Sequence, residues 1–415
     1  MKTMTLDQAA LLPRWRGPIG LLFLMAFGMP LAFATWQALL NNFVIEVAGF
    51  NGADIGTLHS IREIPGFLAV GVLVVLLFMR EQVLGLVSML LLGVATAVTA
   101  WFPTYGGIML VTLFSSIGFH YYETVNQSLQ LQWLPKKDAP RVLGLLLSAG
   151  SAATLLSYGG IVLFWTSFNL SFNTVYMVTG GATALVAIIA LFAYPQFSAP
   201  HPQEKKMVLR KRYWLYYALQ FLAGARRQIF VVFAGFMMVE HFGFKVHEIT
   251  AIYMINLMIN IVAAPAIGRL VGRYGERRAL LIEYAGLIAI FLAYGGIYWF
   301  GWGVGVAVAL YILDHMFFAL KLALKTYFQK IADPKDIAPT AAVAFTINHI
   351  AAVGLPVALG LLWLVSPAMV FVLAALLAGG SFLLALLIPR HPEDGYETIL
   401  SRPRSSAAPA GPDTL

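Results

Sequence analysis

The sequence predicts an all-α integral membrane protein with twelve transmembrane helices arranged as two pseudo-symmetric six-helix bundles. Three observations carry this prediction. Apolar stretches of 18 or more residues recur along the chain, each long enough to cross roughly 30 Å of hydrocarbon. Only 11% of the 415 residues are charged and 60% are hydrophobic. A soluble chain carries roughly 25% charged residues, so lipid must be the bulk solvent of this fold. Finally, the two halves of the sequence echo one another.

The apolar pattern predicts helices at about 17–40, 56–79, 83–101, 107–134, 142–166, 173–194, 214–239, 248–270, 279–300, 304–330, 339–363 and 369–389. The connections are short except for 195–213, which is polar and basic (Lys205, Lys206, Arg210, Lys211, Arg212). The predicted organisation is therefore an N-terminal six-helix bundle over 1–194, a cytoplasmic linker over 195–213 and a C-terminal bundle over 214–389. A tail over 390–415 is rich in Pro, Ser and Ala and is expected to be disordered. Lys2, Arg14 and Arg16 precede the first apolar stretch, and Ala32-Phe33-Ala34 has the look of a signal-peptide cleavage site. The repeat pairs this stretch with a later helix, so it is expected to be retained. The chain has no cysteine, which excludes disulfides, thiolate metal sites and cysteine nucleophiles.

Charge fixes the expected orientation. With both ends cytoplasmic, 21 of the 27 Lys and Arg residues fall in cytoplasmic segments, Lys245 alone falls outside, and the remaining five lie within spans. Positively charged residues accumulate in cytoplasmic loops, and an odd number of helices would spoil the split. The net charge of +8 is thus spent on topology and calls for no nucleic-acid partner.

The repeat is more specific than hydropathy. Glu46-Val47-Ala48-Gly49-Phe50 matches Glu240-His241-Phe242-Gly243-Phe244, and Asp54-Ile55 matches Glu248-Ile249. Pro135-Lys136-Lys137-Asp138-Ala139-Pro140 matches Pro334-Lys335-Asp336-Ile337-Ala338-Pro339. Repeated membrane halves are the usual build of secondary transporters, with the substrate site between them near the midplane.

The loop after the eighth segment reads Gly268-Arg269-Leu270-Val271-Gly272-Arg273-Tyr274-Gly275-Glu276-Arg277-Arg278. It is similar to the loop signature of the major facilitator superfamily. There a Gly, an acid-then-base pair, a second Gly and paired basic residues connect helices two and three, and again eight and nine. Gly268, Arg273, Gly275, Arg277 and Arg278 fit it, whereas Gly272 stands where the family usually has Asp. The first-half loop, Phe78-Met79-Arg80-Glu81-Gln82, keeps little of the pattern. The resemblance implies alternating access by rocking of two six-helix bundles, in a monomer. It names no substrate.

Charged residues inside a bilayer are expensive and mark function or structural pairs. On the tenth segment Asp314, Phe318, Lys321 and Lys325 follow spacings of 4, 3 and 4, and so are expected on one face. The seventh segment carries Arg226-Arg227 near its middle, and guanidinium forks suit carboxylate or phosphate. Adjacent helix positions diverge by about 100°, so one of the two is expected to face a cavity. Which one stays open at this level. The second segment carries His59, Arg62 and Glu63, and the fourth carries His120, Glu123, Gln127 and Gln130 at spacings of 3, 4 and 3. Arg226, Arg227, Lys321, Lys325, Arg62 and Gln127 are the candidate substrate ligands, and Glu123, Asp314 and His120 the candidate proton-coupling groups.

Arg62, Arg226, Arg227, Lys321 and Lys325 outnumber Glu63, Glu123 and Asp314 by two. Excess buried positive charge favours an organic or phosphorylated anion as substrate. Export of a neutral or cationic compound is the alternative, and a transporter-like sensor or assembly factor is the alternative of another class. An enzyme is disfavoured, because no Gly-x-Ser-x-Gly, His-Glu-x-x-His or phosphate-loop motif occurs and the histidines are scattered. No metal or cofactor is expected. The expected setting is a bacterial plasma membrane, with the lipid bilayer, a small molecule and protons as partners.

Overall fold

The computed structural model describes residues 3–9, 11–68, 71–134, 139–197, 209–333 and 336–401. Helices coincide with each of the twelve predicted segments. They are α1 (Pro18–Glu46), α2 (Gly52–Phe67, followed by a short turn of helix at Gly71–Val75), α3 (Glu81–Val98), α4 (Tyr105–Trp133), α5 (Ala139–Phe164) and α6 (Phe172–Ala193). In the second half, α7 runs Trp214–Gln228, passes through a π-helical segment at Ile229–Ala234 and resumes at Gly235–Glu240. It is followed by α8 (Val246–Tyr274), α9 (Glu276–Phe300), α10 (Val304–Phe318, a 3-10 turn at Ala319–Lys321, then Leu322–Ile331), α11 (Ile337–Val365) and α12 (Pro367–Ala385). Among the described residues, ten of these helices are long and apolar enough to cross a membrane. The other two are α2 and α4. The first helical run of α2 ends at Phe67, just after Pro65-Gly66. The C-terminal half of α4 is polar from His120 to Gln132.

Boundaries moved where a polar side chain closes the backbone. The first helix runs on to Glu46 because Asn42 Nδ2 donates to Glu46 Oε1 at 2.8 Å, keeping the last turn wound. The second begins at Gly52 because Asn51 caps it. The Asn51 side chain accepts from the amides of Ala53 and Asp54, and the Asp54 carboxylate accepts from Asn51 N at 3.0 Å, which satisfies otherwise orphaned donors.

The first repeated motif turns out to be one local structure used twice. Gly49 and Gly243 both adopt positive φ, +66° and +68°. Each closes its helix with a six-residue hydrogen bond, Phe50 N to Val44 O at 2.9 Å and Phe244 N to Met238 O at 3.1 Å. Left-handed backbone at the end of a helix is glycine's place. The acid that follows then caps the next helix: Asp54 serves Asn51 N, and Glu248 Oε2 serves Lys245 N at 2.8 Å. In the second repeated motif, Pro135–Asp138, Pro334 and Lys335 lie outside the described residues.

Compactness groups the chain into two units. The first is Met1–Glu204 with Phe230–Met258 and Ala352–Ser366, and the second is Lys205–Ile229 with Ile259–Ala351 and Pro367–Leu415. Helices α7, α8 and α11 contribute one end to each.

In the first unit, α3 packs on α4 and α6, and α1 on α5 and α6. At the end with the basic loops, Thr3–Met4 pairs in parallel with Gln196–Phe197, Tyr194 OH donates to the Trp15 carbonyl at 2.6 Å, and Arg16 donates to the Ala193 carbonyl at 3.1 Å. The segment before α1 is therefore tied to the segment after α6.

In the second unit, α9 packs on α12 and α10. Its basic end is held by ion pairs: Arg210 with Asp336 at 3.1 Å, Arg212 with Asp394 at 2.5 Å, and Lys330 with Glu276 at 2.8 Å. The C-terminal segment departs from the expected disorder as far as Ser401. Tyr327 OH donates to the Glu397 carbonyl at 2.6 Å, Ile399 N donates to Leu387 O at 2.9 Å, and Thr398 is buried. Residues 402–415, like Lys136, Lys137, Lys205 and Lys206, lie outside the described residues.

Replacing Gly49 or Gly243 by Ala forces a Cβ into the left-handed region, which costs roughly 1–2 kcal/mol each. No atom lies within 4 Å of either added Cβ, so the expected loss comes from the backbone alone. Thermal unfolding in detergent should show similar losses for the two variants and additivity in the double variant.

Candidate substrate-binding groups and gate

The charged groups of the second unit gather where α7, α9 and α10 meet. Arg226 is buried and lies 3.9 Å from Glu283 Oε1, with both side chains at most 4% exposed. The guanidinium also sits 4.5 Å from the centroid of the Tyr284 ring and donates to the Leu222 carbonyl at 3.4 Å. Asp314 is fully buried and feels the charges of Arg226 and Glu283. Its Oδ2 has no hydrogen-bond partner among the described residues. Lys321 feels both Arg227 and Glu283, and its ammonium lies 4.0 Å from the Phe318 ring centroid.

Arg226 thus has a carboxylate neighbour within its own unit, while Arg227, one residue on, is half-buried. The π-helical segment opens two residues later, at Ile229. Such segments re-aim the residues beside them and recur at functional sites.

Glu283 was missed by sequence reasoning. It lies inside the ninth span, but only a turn and a half from Arg277-Arg278, and so has the look of an interfacial residue. Counting it lowers the expected positive surplus in the spans from two to one. The second unit keeps a surplus of its own, because Arg226, Arg227, Lys321 and Lys325 stand against Glu283 and Asp314 alone.

Along the expected stripe on α10, Asp314 is buried, whereas Lys321 and Lys325 are exposed. A 3-10 turn at Ala319–Lys321 lies between the aspartate and Lys325.

In the first unit, Arg62 lies 5.7 and 5.2 Å from the ring centroids of Phe33 and Trp36. Its Nη1 is 3.4 Å from His59 Nδ1. Its carbonyl accepts from the Ser116 hydroxyl. His59, Glu63 and His120 are buried and Glu123 is half-buried. The polar face of α4 is corrected. A cavity of 460 Å³ beside this helix is lined by Asn126 and Gln130, not by Gln127, which is exposed elsewhere.

Away from the basic loops, the same unit is tightly sealed. Asn42 Nδ2 donates to the Phe244 carbonyl at 2.7 Å, and Trp363 Nε1 donates to Glu240 Oε2 at 2.8 Å. Val357 N donates to the Ser60 hydroxyl oxygen at 3.1 Å. Helices α2 and α11 touch backbone to backbone, since a Cβ on Gly56 would lie 2.2 Å from the Pro356 carbonyl oxygen.

Of the loop signature, Gly275 has a clear physical role: its φ of +78° turns the chain from α8 into α9. Arg273 stacks over Tyr274 at 5.5 Å, Arg277 and Arg278 open α9, and Gly268 lies within α8 with open space around it.

The profile of the Major Facilitator Superfamily matches residues 18–354. The chain belongs to the major facilitator superfamily. Solved structures share its fold at low identity. A mutant form of the nucleoside transporter NupG is 16% identical with a TM-score of 0.72, covering 89% of this chain and 98% of that one. A bacterial homolog of the human lysosomal transporter Spinster, inward-facing and occupied, is 13% identical with a TM-score of 0.65, covering 89% and 95%. A POT family transporter in complex with a thioalcohol conjugated peptide is 14% identical with a TM-score of 0.64, covering 89% and 94%. No curated protein matches the sequence. The superfamily's transporter fold, in a multi-pass membrane protein, therefore frames the groups described above.

Glu283→Gln leaves the Arg226 guanidinium buried without its counter-charge, and breaking such a pair from one side costs roughly 3–5 kcal/mol. Arg226→Met combined with Glu283→Gln removes both charges and should recover most of that loss. A double-mutant cycle on unfolding in detergent checks it.

Proposed function

We propose that this protein is a secondary transporter that carries a small organic or phosphorylated anion by alternating access. The observation that carries the reading is the charge balance of the second unit. The spans of that unit carry Arg226, Arg227, Lys321 and Lys325 and only two carboxylates, Glu283 and Asp314, a formal surplus of two positive charges. Net charge at membrane depth is costly, and an arriving anion lowers it. Arg227 offers a planar fork for a carboxylate or phosphate, and Lys321 and Lys325 offer point charges. Arg62 completes the candidate ligands; Gln127, exposed away from the cavity, is left out, and Arg226 serves as the charge beside Glu283 and Asp314.

Protons are the proposed coupling ion. Asp314, with one oxygen lacking a hydrogen bond, is the foremost group to exchange one when the anion arrives or leaves, followed by Glu123 and His120. Alternation is supported by the seal in the first unit. The contacts at Gly56, Ser60 and Trp363 are the proposed gate, which opens when α2 and α11 separate. The proposed setting is a bacterial plasma membrane, with the protein a monomer and both termini in the cytoplasm, as the basic loops direct.

A second reading, export of an uncharged compound, is favoured by one observation. Among the described residues, the lining of the 460 Å³ cavity of the first unit has no carboxylate, amine, guanidinium or imidazole. NupG, similar in fold, is a nucleoside transporter.

A thermal-shift screen of the purified protein against anionic, neutral and cationic metabolites separates these readings, because a ligand that binds the native state raises its stability. Stabilisation by an anion is expected, with loss of at least tenfold in affinity in Lys321→Gln and in Arg227→Gln. Unchanged affinity in both variants, or stabilisation by neutral or cationic compounds alone, overturns the anion reading.

Gly56→Val drives a side chain into the Pro356 carbonyl, so the variant should still reach the membrane and still bind but lose flux into proteoliposomes. Wild-type flux in that variant would remove α2 and α11 from the gate. Binding without any flux in the wild type would favour a sensor.

A further inference from the structure

We propose that residues 11–16, just before α1, are a docking surface for anionic phospholipid. Leu11 and Trp15 enter the headgroup layer, and the positive charge around Trp15 attracts the lipid phosphates. The surface belongs to the first unit alone and is independent of what is transported.

This stretch is held on both sides. Before it, Thr3–Met4 pairs with Gln196–Phe197, and Ala9, at the end of a single helical turn (Leu6–Ala9), is buried in the core of the unit. Leu12 packs against the same core. The backbone then winds through a 3-10 turn at Arg14–Arg16. There the Trp15 carbonyl accepts from Tyr194 OH and the Arg16 side chain donates to the Ala193 carbonyl. A segment pinned at so many points cannot turn its apolar groups inward without breaking those bonds. Leu11 is nevertheless 88% exposed and Trp15 65%.

The same bonds set the level of the segment. Ala193 ends α6, so Trp15 and Arg16 stand where that span leaves the hydrocarbon. Along α6 itself, Leu185, Ile188, Ile189 and Phe192 form an exposed apolar face at helical spacing, which is the face a span shows to lipid. Tryptophan is enriched at the membrane–water boundary, where its apolar ring and polar N–H are both satisfied. The charge suits that place too. The first twenty residues carry Lys2, Arg14 and Arg16 against Asp7 alone, and the Arg16 guanidinium lies 5.6 Å from the Trp15 ring centroid. Exposed apolar side chains beside cations fit a bilayer surface that carries negative lipids, where apolar burial and charge attraction add. A free phosphate would meet the charge but leave Leu11 and Trp15 in water.

The chain contains no cysteine, so Leu11→Cys creates a unique thiol for a fluorophore. The labelled full-length protein is reconstituted into phosphatidylcholine vesicles that hold a trace of a nitroxide lipid, either phosphatidylglycerol or phosphatidylcholine, spin-labelled near the headgroup. Quenching at least twofold stronger with the phosphatidylglycerol probe is expected, and inorganic phosphate at the same concentration as the probe should not reduce it. Arg14→Gln combined with Arg16→Gln should abolish the difference, whereas Arg14→Lys combined with Arg16→Lys should keep it. Should loss of the Arg16 bond to Ala193 unfold the double variant, Arg14→Gln alone is expected to shrink the difference, and Trp15→Cys is the alternative reporter. Equal quenching by the two probes, or quenching by neither, as for a face covered by water or by a protein, overturns the proposal.

Discussion

A guanidinium placed inside a helix that crosses lipid has to be answered, and in the second unit Arg226 is answered by Glu283 from α9 and by the face of Tyr284. Much else in that unit follows from this meeting. It fixes the approach of α7 to α9 and sets the charge that Asp314 faces from α10. The pair is 3.9 Å apart and not closely hydrogen-bonded. Such pairs contribute little net stability over an apolar replacement, yet removing one partner is severe. Its value here is therefore positional, since it holds α7 against α9 beside the buried carboxyl of Asp314.

Much of the fold was legible because hydrocarbon leaves a chain few choices. Every backbone group must be paired within the segment, so apolar length alone marks the spans. What composition could not show was where a polar side chain extends a helix. Asn42 and Asn51 look like places to stop, and instead they carry α1 onward and start α2 early. The repeat was legible at the level of geometry too, because a glycine followed five residues later by an acid is both a helix stop and a helix start.

The candidate site was less legible, for reasons that concern particular residues. Glu283 was hidden by its proximity to Arg277-Arg278, although it lay within a predicted span. Arg226 and Arg227 were equivalent on paper, and only the neighbour on α9 distinguishes them. Spacing rules assume a uniform helix, so the 3-10 turn in α10 and the π-helical segment in α7 were invisible to them. The cavity beside α4 is formed by side chains from four helices, and no linear pattern marks such an enclosure.

The paired glycine turns at Gly49 and Gly243 also bear on how the protein is made. Each joins two helices through contacts no more than six residues apart, so closing the turn asks little loop entropy of the chain. Each turn is therefore set by residues that leave the ribosome almost together, before the helix that follows is complete. Internal duplication gives the protein two such locally written turns, one in each half of the sequence.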